Sequence, residues 1–418
     1  MEQTVASSQI TTAHDWREAR GRQLASAARI RAYSGGHRFS VPSATGAGSY
    51  VVDLIAKSCT CPDHELRGAK CKHQHAVEFT IVWEQSVGAD GSVTQTVAVR
   101  RKTYPQDWPA YNAAQAVEKE RVEVLLRGLC DGIVEPVQKI GRPRIPLRDA
   151  VFAAVHKVYT TMSGRRAQSD ARACLERGLV AWAPHYNSVF RTLESPAVTL
   201  ILRALVEESA LPLREVERDF SQDSTGFSTV VYDRWFDEKH GKMRADHPWV
   251  KLHALTGNKT NVIAWAMVSD SGDCPLLVPA LEHTAKWFQI DAVACDKAYL
   301  ARYNVEAICA VGAVPYIPFK ENSTGAGPEN WRRMWSQFML DRPKFLDHYH
   351  RRSNVESTFW MVKSKFGGSV RSKLPVAQAN EVYAKLVCHN LAVLVSAMHE
   401  LGVEPTFWRT APLAEGLS

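Results

Sequence analysis

The sequence predicts a multidomain protein of mixed α+β and α/β class. It should have a small metal-bound β-hairpin domain, a helical domain and a mixed-sheet α/β domain. Three observations lead to this prediction: a Cys/His cluster near the N-terminus, helical periodicity in the middle, and alternating strand-like and helical runs in the second half. The expected boundaries are residues 1–100, 101–214 and 215–402, followed by a tail at 403–418.

Composition and charge describe a globular chain that is able to bind nucleic acid. The 418 residues are 45% hydrophobic and 9% aromatic, which is enough for folded cores. The net charge of +7 permits DNA binding without requiring it. The N-terminal segment lacks the apolar stretch of a signal peptide, and no apolar run reaches membrane-span length, so we expect a cytoplasmic protein. Nine cysteines, an odd number, argue against a disulfide framework there.

A β-hairpin followed by a metal site is predicted in the N-terminal region. Alternating residues on both sides of a Gly/Ser-rich turn indicate two paired strands between residues 36 and 54. The metal site consists of two short pairs nine residues apart, Cys59 with Cys61 and Cys71 with His73. Three thiolates and one imidazole form the closed tetrahedral donor set typical of structural Zn²⁺. His64 and His75 are alternative ligands, and a coincidental grouping in a loop is the competing interpretation.

The segment from about residue 115 to 210 has the periodicity of short helices joined by tight turns. One helix is expected at 147–159, and another has Ser169 as its candidate N-cap and Gly178 as its stop. A helix that starts at Pro184 should turn three apolar residues inward, namely Val189, Phe190 and Leu193. This arrangement favours a helix-turn-helix-like module.

Several polar residues keep two open interpretations. The Ser-Gly-Arg-Arg stretch at 163–166 fits either a phosphate contact or a solvated turn. Asn187, Ser188 and Arg191 fit either base contacts or an ordinary helix surface. Lys251 and His253 alternate on an expected strand, where they fit DNA contacts, although a satisfied core histidine is favoured for His253.

In the last part of the chain, strand-like and helical runs alternate, which is the pattern of an α/β domain. The expected strands cover residues 229–232, 250–255, 262–268, 292–295 and 314–319. Asp223 is expected at the end of a strand-like run, followed by small residues, and Asp296 directly follows the apolar run that ends at Cys295. Taken singly, each of these acids also fits a solvated strand end.

A helix is expected to carry the third acid, Glu356. At about 100° per residue, Tyr349, Arg352, Glu356 and Lys363 fall within roughly 60° of one another on a single helix. An apolar stripe lies beside this face, formed by Val355, Phe359, Val362 and Phe366. An ordinary amphipathic helix with a solvated charged face is the alternative. Two Asp on neighbouring strands and a Glu from a later helix can converge on a pair of Mg²⁺ ions, which activate a nucleophile and stabilise a leaving oxygen at phosphorus.

These motifs resemble those of bacterial insertion-sequence transposases of the DDE type, which have an RNase-H-like catalytic domain. The resemblance runs from about residue 104 to 401 and includes SQDSTGF for the first Asp and ACDKAYLARYN for the second. The stretch at 349–363 also fits a Tyr-(2)-Arg-(3)-Glu-(6)-Lys signature of one large transposase group. Two departures are visible: Asp296 and Glu356 are only 60 residues apart, without room for a large β-rich insertion, and Ala298 stands where Gly is usual.

The resemblance implies a specific set of roles. Asp223, Asp296 and Glu356 would be catalytic and hold Mg²⁺ or Mn²⁺, while Tyr349, Arg352 and Lys363 would bind DNA. The helical segment would bind DNA as well. The partners would be double-stranded DNA, both transposon ends and target, and a second copy of the chain in a homodimer. The expected location is the bacterial cytoplasm, in association with the nucleoid.

Residues 36–78 resemble a SWIM zinc finger, including the hairpin that precedes the Cys pair. The resemblance implies a structural Zn²⁺ and a role in DNA or protein binding. Two alternative functions remain open for the whole chain. One is a nuclease of the same fold that cuts without joining, and the other is a domesticated transposase that acts as a non-catalytic DNA-binding regulator.

Overall fold

The computed structural model describes residues 17–18, 20–21, 24–25, 30–33, 37–43, 48–87, 93–99, 107–138, 140–141, 143–229 and 249–408. The chain divides into two compact units, Met1–Gln106 and Asp107–Ser418. The helical segment and the α/β segment predicted from the sequence therefore share one compact unit. Their division at residue 214 as functional parts stays a prediction.

The first unit is built on a small antiparallel sheet of order β1-β2-β3-β4. Its strands are β1 (Arg31–Ala32), β2 (Arg38–Pro42), β3 (Ser49–Asp53) and β4 (Ser58–Cys59). The predicted hairpin is β2 and β3, whose alternation buries Phe39, Val41 and Val52 on one face. Two helices follow, α1 (Pro62–Arg67) and α2 (Lys72–Thr80), and then a separate two-stranded pair, β5 (Ile81–Val87) with β6 (Val93–Val99).

The second unit begins with a helical layer. Its helices are α3 (Trp108–Cys130), α4 (Leu147–Tyr159), α5 (Ala167–Glu176), α6 (Tyr186–Leu193) and α7 (Pro196–Ala210). The prediction of Ser169 as an N-cap is wrong, because α5 begins at Ala167 and Ser169 lies inside its first turn. Gly178 does follow the helix with a φ of 70°, a left-handed conformation that suits glycine.

A five-stranded mixed sheet of order β11-β10-β7-β8-β9 forms the centre of the second unit. The strands are β7 (Asp219–Ser228), β8 (Trp249–Gly257), β9 (Ile263–Val268), β10 (Ala292–Cys295) and β11 (Val314–Tyr316). β7, β8 and β9 pair antiparallel, whereas β10 runs parallel to both β7 and β11. This mixed sheet, together with the helices and the small N-terminal sheet, confirms the predicted α+β, RNase-H-like fold class.

The remaining helices pack around this sheet. They are α8 (Leu277–Thr284), α9 (Arg302–Ala310), α10 (Glu329–Leu340), α11 (Arg342–His350), α12 (Ser353–Phe366) and α13 (Pro375–Glu400). The segment between β11 and α12 is described throughout, and it contains α10 and α11 and no strand. The expectation that this segment carries no β-rich insertion therefore agrees with the structure.

One strand prediction falls almost wholly outside the described residues. The sequence predicts a strand at 229–232, of which residues 230–232 are not described, and β7 ends at Ser228. The polar run from Asp219 to Ser228 is a strand because it pairs on both sides, with β8 along its whole length and with β10 over its first part. Tertiary pairing overrides the weak strand propensity of Asp, Ser and Gly in this run.

Helix α13 is the core helix of the second unit and packs against α3, α4 and α7. Its Asn390 side chain accepts from the backbone N–H of Ile263 at 2.9 Å and donates to the carbonyls of Ile263 and Val206. Among the described residues, α13 is also the helix long and apolar enough to cross a membrane, but 78% of its apolar window is buried inside the protein. Its apolar residues therefore pack in the protein core.

Burial of His389 on α13 makes stability dependent on pH. Burial lowers the pKa of His389 to about 4, and its Nε2 contacts the Asn261 carbonyl at 2.8 Å. Between that pKa and the ordinary value of about 6.5, the unfolded chain takes up a proton that the folded chain does not. The contribution of His389 to the free energy of unfolding is therefore complete above the pKa that His389 has in the unfolded chain. It is lost as the pH falls toward the pKa that His389 has in the folded chain.

We expect the free energy of unfolding to fall by about 1.5 kcal/mol between pH 6.5 and pH 5 because of this one group. The measurement is urea unfolding of the full chain at both pH values, in the wild type and in His389→Gln. The variant should lose less stability than the wild type over that interval. Equal losses in the two proteins would assign the pH dependence to other groups.

Candidate active site and metal centre

The pairing of β7 with β10 brings Asp223 and Asp296 to neighbouring positions. The parallel register runs from Ala292 beside Asp219 to Cys295 beside Gln222. Asp296 and Asp223 are the next residues on the two strands, at the point where β10 leaves the sheet. The two carboxylates interact electrostatically, since the charge of Asp296 contributes to raising the pKa of Asp223.

Asp223 lies in the middle of β7, and its side chain is largely buried, with 22% exposed. Its Oδ1 accepts from the backbone N–H of Ser224 at 2.8 Å, and its Oδ2 accepts from Arg352 Nη1 at 2.6 Å. Burial is the main cause that raises its pKa, and these two donors partly oppose it. Asp223 is thus a carboxyl group in a partly dry site, where two donors partly offset the effect of burial on its pKa.

Asp296 caps a short turn. Its Oδ1 accepts from the backbone N–H of Ala298 at 2.7 Å, and Asp296 precedes a single 3₁₀ turn at Lys297–Tyr299. The backbone of Ala298 avoids the left-handed region, so a methyl group at this position, where Gly is usual in the resembling proteins, causes no strain. The second carboxylate oxygen of Asp296 is left for other contacts.

The predicted single helix over 349–363 is wrong, because the chain forms two helices there. α11 ends at His350 and α12 starts at Ser353, with Arg351 and Arg352 in the turn between them. Tyr349 therefore belongs to α11, whereas Glu356 and Lys363 belong to α12. Arg352 is the N-cap residue of α12 and no side chain caps this helix start, so the Ser353-x-x-Glu356 pattern does not act as a capping box.

Arg352 joins the acids of the site. Its Nη1 donates to Asp223 at 2.6 Å and its Nη2 donates to Glu356 Oε1 at 2.7 Å. Burial lowers the pKa of Arg352, but Asp223, Tyr349, Glu356 and Asp296 more than compensate, so the net change is upward. The guanidinium is therefore the countercharge around which the three predicted catalytic acids are arranged.

Arg352 joins two of the carboxylates by hydrogen bonds, those of Asp223 and Glu356, whereas Asp296 acts on Arg352 through its charge. In the described part of the chain, the groups whose ligand atoms all lie within 4.8 Å of one another do not include Asp223, Asp296 and Glu356. Glu356 is also the most open of the acids, with 61% of its side chain exposed against 22% for Asp223. It lies on the first turn of α12, where Arg352 is the donor to its carboxylate.

The predicted DNA-contacting residues border the acids. Lys363 donates from Nζ to Thr225 Oγ1 at 2.6 Å and lies over the Phe227 ring at 5.5 Å, and burial lowers its pKa. Tyr349 is half-buried on α11 and packs on the core. Asp223, Thr225 and Phe227 alternate along β7, so one face of that strand carries the acid and both partners of Lys363.

Several contacts fix α12 against the sheet and the helical layer. The predicted apolar stripe is confirmed, since Val355, Phe359, Val362 and Phe366 are all buried. At the start of the helix, Arg351 pairs with Asp219 on β7 at 2.8 Å. At its end, Lys365 Nζ pairs with Glu118 on α3 at 2.5 Å, and Glu118 also accepts from the hydroxyl of Tyr159.

Sequence reasoning missed Thr225, Glu118 and Tyr299. Tyr299 is buried, and its hydroxyl has no hydrogen-bond partner among the described residues. Burial is the main cause that raises its pKa, and the charges of Cys295, Asp273, Asp223 and Asp296 add to it. Tyr299 follows Asp296 by three residues, which is the signal that was available.

Lys251 and His253 face away from the acids. Lys251 pairs with Asp273 at 2.9 Å, and His253 is fully buried with its Nε2 at 3.2 Å from the Ser269 carbonyl. Burial lowers the pKa of His253, which fits the favoured interpretation as a core histidine. On β7 the residues opposite them are Ser224 and Gly226, which alternate with Asp223 and Thr225 on the strand.

In the first unit, the four predicted zinc ligands lie together. All ligand atoms of Cys59, Cys61, Cys71 and His73 are within 4.8 Å of one another, and all four residues are buried. His73 Nδ1 is 3.9 Å from Cys59 Sγ and 3.8 Å from Cys71 Sγ. Bond lengths of about 2.3 Å to sulfur and about 2.0 Å to nitrogen give edges of roughly that size in a tetrahedron.

The competing ligand His64 is engaged elsewhere, because its Nδ1 lies 2.9 Å from the Ala69 carbonyl. Hydrogen bonding from Cys59 is the main cause that lowers the pKa of the Cys71 thiol, which favours a thiolate at the centre of the group. The donor set and the spacing therefore fit Zn²⁺. His73 is the histidine that lies in the group with the three cysteines.

A second grouping of possible ligands in the described residues is Glu123, His156 and Cys174. The Arg177 guanidinium already engages two of these groups, since it donates to the Glu123 carboxylate and lies 3.5 Å from Cys174 Sγ. His156 Nε2 contacts the other Glu123 oxygen at 2.9 Å. This grouping is a buried ion-pair network that ties α3, α4 and α5 together.

A comparison with known families gives one match within the second unit. Residues 215–391 match the family model described as a transposase DDE domain. The matched segment runs from just before β7 into α13, so it contains the mixed sheet, Asp223, Asp296 and α12 with Glu356. The match supports a DDE-type transposase.

The link between Glu118 and Lys365 is expected to stabilise the position of α12. Replacing Glu118 by Gln removes a charge that holds both Lys365 and Tyr159, so the free energy of unfolding should fall by about 1.5 kcal/mol. Glu120→Gln is the matched control, because Glu120 lies on the same helix and is exposed. Urea unfolding of the full chain measures both. A Glu118 variant as stable as the control would show that this ion pair contributes nothing measurable.

Proposed function

We propose that this protein is a DNA transposase that binds transposon ends and catalyses metal-dependent strand cleavage and strand transfer. The observation that carries the proposal is the arrangement of the three acids in the segment that matches the transposase DDE domain: Asp223 and Asp296 lie at neighbouring positions of parallel strands, and Arg352 joins Asp223 to Glu356. Two of the acids are adjacent across parallel strands and the third comes from a later helix. This arrangement suits chemistry at a phosphodiester.

The catalytic residues of the proposal are Asp223, Asp296 and Glu356, and their carboxylates would hold Mg²⁺ or Mn²⁺. The oxygen donors and the partly buried setting fit such ions. When bound, such ions activate water or a 3′ hydroxyl and stabilise the leaving oxygen. The protein contributes orientation: β7 and β10 fix the two Asp, and Glu356 is free to approach them from α12.

Arg352, Lys363 and Tyr349 are the proposed DNA contacts. A guanidinium binds phosphate with two parallel hydrogen bonds, as it now binds two carboxylates. Movement of Arg352 to a DNA phosphate would free Asp223 and Glu356 in one step. DNA binding would thus be linked to the availability of these two carboxylates for metal ions. Lys363 stands beside them with a partner, Thr225, that is neutral and therefore easily exchanged for phosphate.

The first unit is proposed to be a SWIM-type finger that holds a structural Zn²⁺ through Cys59, Cys61, Cys71 and His73. The closed group of four donors supports this role, because it leaves no position for a substrate. The helical layer at 107–210 is proposed to add DNA contacts.

We further propose that two copies of the chain act together on DNA in the bacterial cytoplasm. A transposon has two ends, and each chain offers one set of three acids, so a homodimer supplies one set for each end. Its association with DNA should weaken steeply with salt, because the phosphate contacts release counterions.

The catalytic proposal is tested with Glu356→Gln on DNA that flanks this gene, in the presence of Mg²⁺. Cleavage and joining should fall by at least about 100-fold, since several kcal/mol of transition-state stabilisation depends on metal ligation. Binding of the DNA end should be retained. Glu321→Gln is the control, because Glu321 is exposed and lies outside the site. Binding without chemistry in every protein, wild type included, would instead favour the DNA-binding regulator.

The zinc proposal is tested by metal analysis of the purified full chain. The wild type should contain about one Zn²⁺ per chain, and His73→Asn should lose most of it because a tetrahedral site then lacks one donor. His64→Asn is the matched control and should keep its metal. Loss of zinc in the His64 variant together with retention in the His73 variant would reassign the fourth ligand.

A further inference from the structure

A cavity of about 400 Å³ opens in the second unit on a side that shares no lining residue with the acids. It lies between α4, α6 and the loop at 367–374 that connects α12 to α13. A smaller cavity of about 90 Å³ shares Lys157 and Arg371 with it. The larger volume is within the range of roughly 300–1,000 Å³ that small-molecule sites have in proteins.

Lys157 is the unusual residue of this cavity. It lies on α4, only 8% of it is exposed, and it lines both cavities. Among the described residues, its ammonium has no hydrogen-bond acceptor, and burial lowers its pKa. Most of the Lys157 side chain is buried, and its ammonium lies at the cavity wall without a protein acceptor among the described residues, which points to an anion that enters the cavity.

The nearest opposite charge does not satisfy Lys157. The Glu381 carboxylate accepts instead from the backbone N–H groups of Arg371 and Ser372 and from the Ser372 hydroxyl. The neighbouring ammonium of Lys385 is likewise committed, to the carbonyls of Gly367 and Ser369. Among the described residues of this region, Lys157 is therefore the buried lysine whose ammonium remains available to a ligand.

The other charges around the cavity are mainly positive. Arg371 and Lys373 are exposed on its rim, and Arg371 uses only Nη1 for a protein contact, with the Thr161 carbonyl at 2.7 Å. Glu194 is the acidic residue on the rim of the larger cavity. Because Lys157, Arg371 and Lys373 outnumber it, the cavity favours an anion.

The opposite wall of the cavity is apolar. It is formed by Phe190, Leu193 and Ala377. The sequence placed Phe190 inward with Val189 and Leu193, but Phe190 is 37% exposed and presents its ring to the cavity. An exposed aromatic ring opposite cationic groups suits a nucleotide, since any base can stack on the ring while the phosphate meets the cations.

We propose that this cavity binds one unpaired nucleotide of a DNA strand, with its phosphate at Lys157 and Arg371 and its base against Phe190. The identity of the strand as DNA rests on the proposed function. Asn187, Ser188 and Arg191 share α6 with Phe190, so the adjoining helix surface can continue the contact with the same DNA. The site is separate from the three acids and would anchor DNA without taking part in the chemistry.

The test measures binding by fluorescence anisotropy with the full chain at fixed salt and without divalent metal. The probes are a blunt DNA duplex, the same duplex with unpaired nucleotides at one end, and free dAMP as competitor. The variants are Lys157→Met, which keeps the length of the side chain, and Phe190→Leu, which keeps an apolar wall. Lys320→Met is the charge-matched control, because Lys320 is exposed and lines neither cavity.

We expect Lys157→Met to weaken binding of the unpaired-end DNA about 10-fold and to lower the slope of log affinity against log salt by about one. Phe190→Leu should weaken the unpaired-end DNA more than the blunt duplex, and Lys320→Met should change neither. Phe190→Leu keeps the proposal testable if Lys157→Met fails to fold. Millimolar dAMP should compete weakly, because it supplies only one of the contacts made by the strand.

Three results would overturn the proposal: unchanged DNA binding in a folded Lys157→Met protein, equal weakening of blunt and unpaired DNA in both variants, or dAMP binding that depends on Lys157 while DNA does not compete with it. Because no metal is present, this test is independent of strand cleavage. A protein that binds unpaired DNA through Lys157 but never cleaves would keep this site while the proposed transposase activity fails.

Discussion

The charge balance between Arg352 and the acids is the constraint on which the candidate site depends. The register of β7 and β10 forces Asp223 and Asp296 to lie side by side, and like charges at that distance repel. Arg352 offsets the repulsion by donating to Asp223 and Glu356 at once. A cation is therefore required at this point of the fold, and the guanidinium supplies it. Any ligand that brings its own positive charge competes with Arg352 for the same carboxylates.

Three sets of contacts hold the helix that carries Glu356, α12, in place. Its apolar stripe packs on the sheet, Arg351 pairs with Asp219 at its start, and Lys365 pairs with Glu118 near its end. The last contact belongs to α3, outside the segment that matches the DDE domain. The helical layer thus contributes to positioning the site, which explains physically why both parts belong to one compact unit.

The same layer is joined to the sheet by polar groups inside the core. Asn390 bonds both backbone groups of Ile263, and Asn380 donates to the carbonyls of Leu193 and Ser195. The Asn390 amide is satisfied on both its oxygen and its nitrogen, so it fixes the register of the packed elements, because a shifted helix would leave it without partners. By contrast, Asn380 Oδ1 and the Lys157 ammonium have no hydrogen-bond partner among the described residues, and Lys157 lies at the wall of the cavity proposed as a binding site.

The sequence by itself determined features that depend on local spacing. The paired Cys and His ligands, the strand at 292–295 and the apolar stripe of α12 were all visible as patterns, since each is set by neighbours along the chain. Only the tertiary structure decided the break before Ser353, the outward ring of Phe190 and the bridge made by Arg352. Periodicity reports which side of an element is apolar. It does not show where a helix is interrupted, or which charged side chain from a distant part of the chain packs beside it. Those features depend on strand register and on helix packing between residues far apart in the chain.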